Sequence, residues 1–383
     1  MSTIKPQSRV EYFELFFDLV FVFTLIQITR TISDDGSLIG ILDGTVVLLL
    51  VWWVWVSFTS MANMGLPKDD QRDWRPLIFA VAMGPLLLMA LSIPEAFWAG
   101  GKLFAYSYLA LAVIAAGGQL WISSYDSGVF RAVKRLWSVG IILPIIVVIT
   151  SYVPDQTVSV ILLAIGIISA VAAPFAAGTR NLPISTSHLA ERYALFMLIT
   201  LGESIIAIGE GASGTSVDAL LIVSVLIALA LVVLLWRHYA VAVLDTGEEA
   251  LDRFRGAHLI NFARHAYTLT HLPMVWGIVM IAVAIKSALV DLETPLDDLL
   301  EAGLAVGALT FLAATAAFTR LADARLRPML LASLALMAAL IVLGPMLPTV
   351  WLIAAVTATA ALGIDPRAIG LRQTNRDLPA SAE

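Results

Sequence analysis

Apolar runs of about twenty residues, divided by short polar breaks, succeed one another along almost the whole of this chain. A helix rises ~1.5 Å per residue, so a run of that length matches the ~30 Å hydrocarbon core of a bilayer. Divided at Gly, Pro and charge clusters, the spans fall near residues 10–31, 38–62, 76–94, 103–124, 136–153, 157–178, 188–209, 217–243, 260–286, 298–320, 328–344 and 346–364. Only Gly344-Pro345 and Pro348 separate the last two, so fusing them would move the C-terminus to the other side. Composition argues against a soluble fold. The chain is 60% hydrophobic and 14% charged, where soluble domains are roughly half apolar and a quarter charged. Glu14 and Asp18 do not suit the apolar region of a signal peptide, so the first run reads as a retained helix.

Charge placement gives an independent check. Basic residues collect in cytoplasmic loops. With the N-terminus inside, Arg30, Lys102 and Lys286 fall outside and the other 20 of the 23 basic residues fall inside. The expected fold is an all-α integral membrane protein of about twelve transmembrane helices, multi-pass in a cytoplasmic membrane with both termini cytoplasmic. Residues 1–180 form a first six-helix half, 181–364 a second, and 365–383 a polar, disordered cytoplasmic tail. The acidic outer loop Asp291–Glu301 reads as solvated.

Two such halves would share one orientation, as in transporters built from parallel repeats. Val10-Glu11-Tyr12 and Ala190-Glu191-Arg192-Tyr193 begin spans 1 and 7, Trp55 and Trp236 come late in spans 2 and 8, and Pro85 and Pro273 lie in spans 3 and 9. Coincidence in apolar sequence is the competing explanation.

A charge at the centre of a membrane helix costs about 2.5–3.5 kcal/mol on insertion scales, so each one needs a reason. Glu14 and Asp18 are four apart and share a helix face. They fit proton carriage, cation binding or metal ligation, or else a structural ion pair with an arginine elsewhere. His188, Glu191 and Arg192 share a face of span 7. The bland alternative is a helix start capped by Ser187, with interfacial charge. Glu203 lies about 16 Å further along, near the bilayer middle, and Gly202 before it would let another helix approach closely. His271 adjoins Pro273, which leaves the Leu269 carbonyl without its donor and should kink span 9. His265, Arg237-His238 and Asp43 are weaker candidates. Trp52, Trp53 and Trp55 read as an interfacial aromatic belt.

Other classes find little support. The net charge of −6 offers nothing to nucleic acid, and the absence of cysteine excludes disulfides, thiolate metal sites and iron–sulfur clusters. Walker A, H-E-x-x-H, G-x-G-x-x-G and G-x-S-x-G are all missing, so no motif names a cofactor or a catalytic residue. A metal site would have to be assembled between helices.

The run Glu14-Leu15-Phe16-Phe17-Asp18-Leu19-Val20-Phe21-Val22-Phe23, with His188-x-x-Glu191-Arg192 and Leu201-Gly202-Glu203-Ser204-Ile205-Ile206-Ala207-Ile208-Gly209, resembles the bacterial low temperature requirement protein A family over nearly the whole chain. That family is named for a requirement for growth in the cold. The resemblance implies the fold, a bacterial membrane location, and motif membership for Glu14, Asp18, His188, Glu191, Arg192 and Glu203, but no substrate.

Three functions follow. The first is a proton- or cation-coupled secondary transporter of a small solute, in which Asp18 and Glu203 carry the coupling ion and His271 relays or gates. The second is a membrane-embedded metal or cofactor enzyme, with Glu14, Asp18, His188, Glu191, Glu203 and His271 converging on one metal. The third is a cold-adaptation sensor or scaffold. The partners implied are the lipid bilayer and a small solute, proton or cation.

Overall fold

The computed structural model describes residues 4–5, 10–64, 66–67, 73–97, 101–176, 185–290, 292 and 298–364. The tail, the boundary between the halves at 180/181, Arg180 and most of the acidic loop lie outside these residues. Among the described residues, nine helices are long and apolar enough to cross a membrane: α1 (Tyr12–Asp35), α2 (Leu38–Asn63), α4 (Gly101–Ser123), α5 (Ser127–Thr150), α6 (Gln156–Phe175), α7 (Thr186–Ala212), α8 (Ala219–Arg253), α9 (Gly256–Val290) and α10 (Leu299–Leu321). Three shorter apolar helices complete the series: α3 (Arg75–Leu91), α11 (Pro328–Leu343) and α12 (Thr349–Leu362). A two-residue bridge pairs Ile4–Lys5 with Leu66–Pro67.

Local chemistry sets the breaks. Gly36, at φ 65°, takes the left-handed conformation that ends α1, and its N–H bonds the Ile32 carbonyl. Ser37 follows at once as the N-cap of α2, accepting from the Gly40 N–H. A two-residue turn thus joins two spans. Asp126 caps α5 by accepting from Gly128 and Val129 N–H, and these bonds hold its carboxyl below the usual range. Ser185, rather than Ser187, caps α7.

Three helices extend beyond their apolar runs. α5 begins at Ser127, α8 continues to Arg253 and α9 begins at Gly256. These extensions are amphipathic. Val129 and Val133 are buried while Arg131, Lys134 and Arg135 are not, and Ala250 and Leu251 bury the underside of a strongly charged turn. A length estimate based on apolarity stops short of such turns. In α9 the wide π-type turns Ala263–Leu269 come just before Thr270–Pro273, and the helix accommodates Pro273 there without ending.

α9 lies at the centre, with 72% of its apolar window buried, whereas α6 is peripheral at 22%. Gly277 of α9 and Gly307 of α10 meet face to face, and a Cβ on either would fall within 2.7 Å of the other's carbonyl oxygen. α1 packs on α2, α3, α7 and α9. Much of one pattern of neighbours occurs twice, although α12 also packs on α8 and α10, where α6 has no contact of that extent with α2 and α4 among the described residues. In the first six helices, α1 packs on α2 and α3, α3 on α4, α2 on α4, α4 on α5, and α5 on α6. In the last six, α7 packs on α8 and α9, α9 on α10, α8 on α10, α10 on α11, and α11 on α12.

Candidate functional site

α1 and α7 lie side by side and run parallel, because early residues of one pair with early residues of the other. Glu14 meets His188 and Asp18 meets Arg192, each 174 positions on, while Arg30 meets Glu210. The i, i+4 spacing that puts Glu14 and Asp18 on one face of α1 matches the i, i+4 spacing of His188 and Arg192 on α7. The four therefore interlock as a quartet near the end of the bundle where α1 begins, here called the near end. All four side chains are fully buried.

His188 Nε2 lies 3.0 Å and 3.2 Å from the two Glu14 oxygens. Arg192 Nη2 donates to Asp18 Oδ1 at 3.0 Å, Nη1 lies 2.8 Å from Oδ2, and Nε lies 3.5 Å from Glu14 Oε2. Arg192 is thus shared by both acids. α2 closes the cluster. The Trp55 indole N–H donates to Asp18 Oδ1 at 3.3 Å, and Thr59 Oγ1 accepts from Arg192 Nη2 at 3.4 Å. Of the two sequence readings of Glu14 and Asp18, an ion pair with an arginine on another helix is the arrangement present. Burial of two anions near each other is tolerable only with such partners. His188 Nδ1 is buried without a hydrogen-bond partner among the described residues. With Nε2–H donating to Glu14, Nδ1 carries the ring's free lone pair.

Glu191 does not join the quartet. A helix face only ~100° wide separates i+3 from i+4, so with His188 and Arg192 turned inward Glu191 is exposed and accepts the Val10 N–H at 3.1 Å. Glu203 is buried at 1% exposure, two turns from Glu210, with one carboxyl oxygen unpartnered among the described residues and the Thr29 hydroxyl as its polar neighbour. Gly202 does not admit another helix, since a Cβ there would meet nothing within 4 Å. That role falls to Gly211, where a Cβ would lie 2.5 Å from the Lys286 carbonyl oxygen of α9.

His271 is buried in an aromatic cage apart from the quartet. Its Nδ1 faces the Ala266 carbonyl at 3.3 Å and its Nε2 the Tyr239 hydroxyl at 3.1 Å, which the neutral ring with Nδ1–H satisfies on both sides. Tyr193 stands between the two groups, with ring centroids 4.8 Å from Trp55 and 4.9 Å from His271, and its hydroxyl meets Thr268 at 3.1 Å. Among the described residues no cluster of three or more His, Asp or Glu could hold a metal ion. Trp52 and Trp55 are not an interfacial belt. They stack 5.3 Å apart in the core, because the polar partner of Trp55 is Asp18 rather than the membrane surface. His238 is buried against the Ala360 carbonyl, while His265 and Asp43 are half-buried.

Sequence reasoning missed Trp55 and Thr59 as partners of the quartet and missed the far-end cluster of Arg30, Glu210 and Lys286. The nearness of Thr59 to Trp55, one helical turn on, was the available signal for the first two.

The fold and this site define a bundle of apolar helices, long enough to span a membrane, around a buried charge quartet held by two parallel helices. The bacterial low temperature requirement A protein (LtrA) family matches residues 9–364, and the chain belongs to that family. It is also similar to an uncharacterized protein of Rhizobium meliloti (strain 1021), 30% identical over 288 residues, which cover 72% of this chain and 69% of that one. No solved structure matches.

Proposed function

We propose that this chain is a twelve-span protein of the bacterial cytoplasmic membrane, termini inside, working as a proton-coupled secondary transporter of a small solute. The observation that carries this reading is the quartet. Two acids and two bases sit fully buried between α1 and α7, at a depth where charge is costly and kept for a purpose. With His188 neutral the four groups sum to one negative charge. In low dielectric any change of charge at the quartet, as when a coupling proton arrives, is felt by every contact of Arg192. Glu203, deeper on the same helix pair, makes no ion pair among the described residues and is a second stage for a proton moving along α1 and α7. Tyr193 links the quartet to His271, which serves as a gate.

The recurring pattern of neighbours supports two parallel six-helix units, with α1 and α7 as counterparts at their junction, where repeat-built transporters place substrate and ion. A metal or cofactor enzyme would need Glu203 and His271 to join the quartet, and they keep separate partners.

The test is accumulation of a panel of radiolabelled small solutes by vesicles under an imposed pH gradient. Asp18→Asn and Glu203→Gln should each abolish gradient-driven uptake while the protein still purifies as a folded, monodisperse species. Uptake that is unchanged in both variants would overturn the reading.

A further inference from the structure

A second feature of the near end is a cavity of about 230 Å³ walled by α2, α4, α5, α6, α7 and α9. Its walls are mostly apolar, with Tyr108, Leu111 and Leu143 among them, while Thr59, Tyr193 and Arg264 add polar groups. Of these three, Arg264 has the unfinished chemistry, and the Trp53 indole N–H on the same wall is also without a partner among the described residues. Arg264 sits in the π-type turns of α9, where the widened helix displaces side chains from their regular register. Its Nη2 donates to Asn261 Oδ1 at 2.8 Å, its Nη1 reaches the Pro174 carbonyl at 3.4 Å, and its guanidinium lies 4.0 Å over the Phe175 ring. Its Nε is buried with no hydrogen-bond partner among the described residues. None of these neighbours is an anion. The last carbonyls of α6 supply at most about half a negative charge, and the Phe175 face supplies less. By contrast, Arg192 pairs with Asp18 and Glu14, Arg75 with Asp73, and Lys286 with Glu210.

We infer that the cavity binds a small amphipathic organic anion, with its carboxylate on Arg264 and its apolar body among Tyr108, Leu111 and Leu143. Size agrees with this. An apolar cavity of ~150 Å³ holds benzene in a model protein, so the present volume has room for a ring and an acid group. Position agrees as well, since Thr59 both lines the cavity and accepts from Arg192, and Tyr193 follows Arg192 in sequence. An occupant would therefore lie one side chain away from the quartet. The site is defined by its own residues, and its binding test does not depend on transport.

The experiment is calorimetric titration of the purified protein at neutral pH with benzoate and phenylacetate, and with benzamide and benzyl alcohol as neutral controls. The carboxylates should bind about 10–100-fold more tightly than the neutral compounds, the range of a charge-assisted hydrogen bond. Arg264→Gln should bring the acids down to the neutral level, and Arg264→Lys should keep part of the preference. Leu111→Trp, which leaves the charge in place but fills the cavity, should block all four ligands. That variant keeps the inference testable if Arg264→Gln does not fold. Equal binding of acids and neutral compounds, no binding of either acid, or full binding by Arg264→Gln or Leu111→Trp would each overturn it.

Discussion

The helix pair α1/α7 carries a charge cluster at each end, and the two are built from similar side chains in unlike surroundings. At the near end Glu14, Asp18, His188 and Arg192 are sealed from solvent. At the far end Arg30 pairs with Glu210, which also meets Lys286 at 3.4 Å, with the Arg30 side chain 48% and that of Glu210 26% exposed. Coulomb's law alone would rank the two together. Desolvation separates them, because a sealed charge cannot turn to water or salt when its partner is lost. The near end therefore depends on each member of its network, whereas the far end owes its tight packing to backbone approach at Gly211.

Four substitutions, one of them a control, probe that difference. Arg192→Leu should have the largest effect, about 3–5 kcal/mol of stability, because it leaves two buried carboxylates without their shared cation. Unfolding in detergent measures it, and a loss near that of a surface pair would erase the contrast. Gly211→Leu should come next, at roughly 1–3 kcal/mol, from overpacking against the Lys286 carbonyl. Gly202→Leu, which faces open space, is its control and should cost much less. The smallest effect belongs to Arg30→Gln, about 0–1 kcal/mol. It should fade further as salt is raised, while the Arg192→Leu defect should not. A salt-dependent Arg192 effect would show that water reaches the quartet.

The helices were legible in the sequence because lipid sets their length, and Gly36, Ser37, Pro328 and Pro348 mark breaks by local rules. The charged turns of α5, α8 and α9 escaped because apolarity ends before the hydrogen-bonded helix does. The site was half legible. Energetic cost singled out Glu14, Asp18, His188, Arg192 and Glu203, but not which of them pair, nor that Trp55 and Thr59 join them. A helix that is apolar all round gives no periodic signal of which face turns inward, so Glu191 looked equivalent to Arg192, and Trp52 and Trp55 looked like surface anchors. Pairing across 174 positions depends on the rotation of two helices about their axes, which no local pattern records. The Arg264 cavity escaped for the same reason, since its walls come from six helices and its cation counted only among the basic residues assigned to the inner side.

Trp55 turns the quartet into something that can be followed by its own ultraviolet fluorescence. Its indole N–H is bound to Asp18 and its ring lies 5.7 Å from the Arg192 guanidinium carbon, so its emission is tuned by the electric field of that pair. Subtracting the spectrum of Trp55→Phe from that of the parent isolates this one emitter among the 10 tryptophans of the chain. The emission of a native fluorophore then reports on a fully buried group, with no added label.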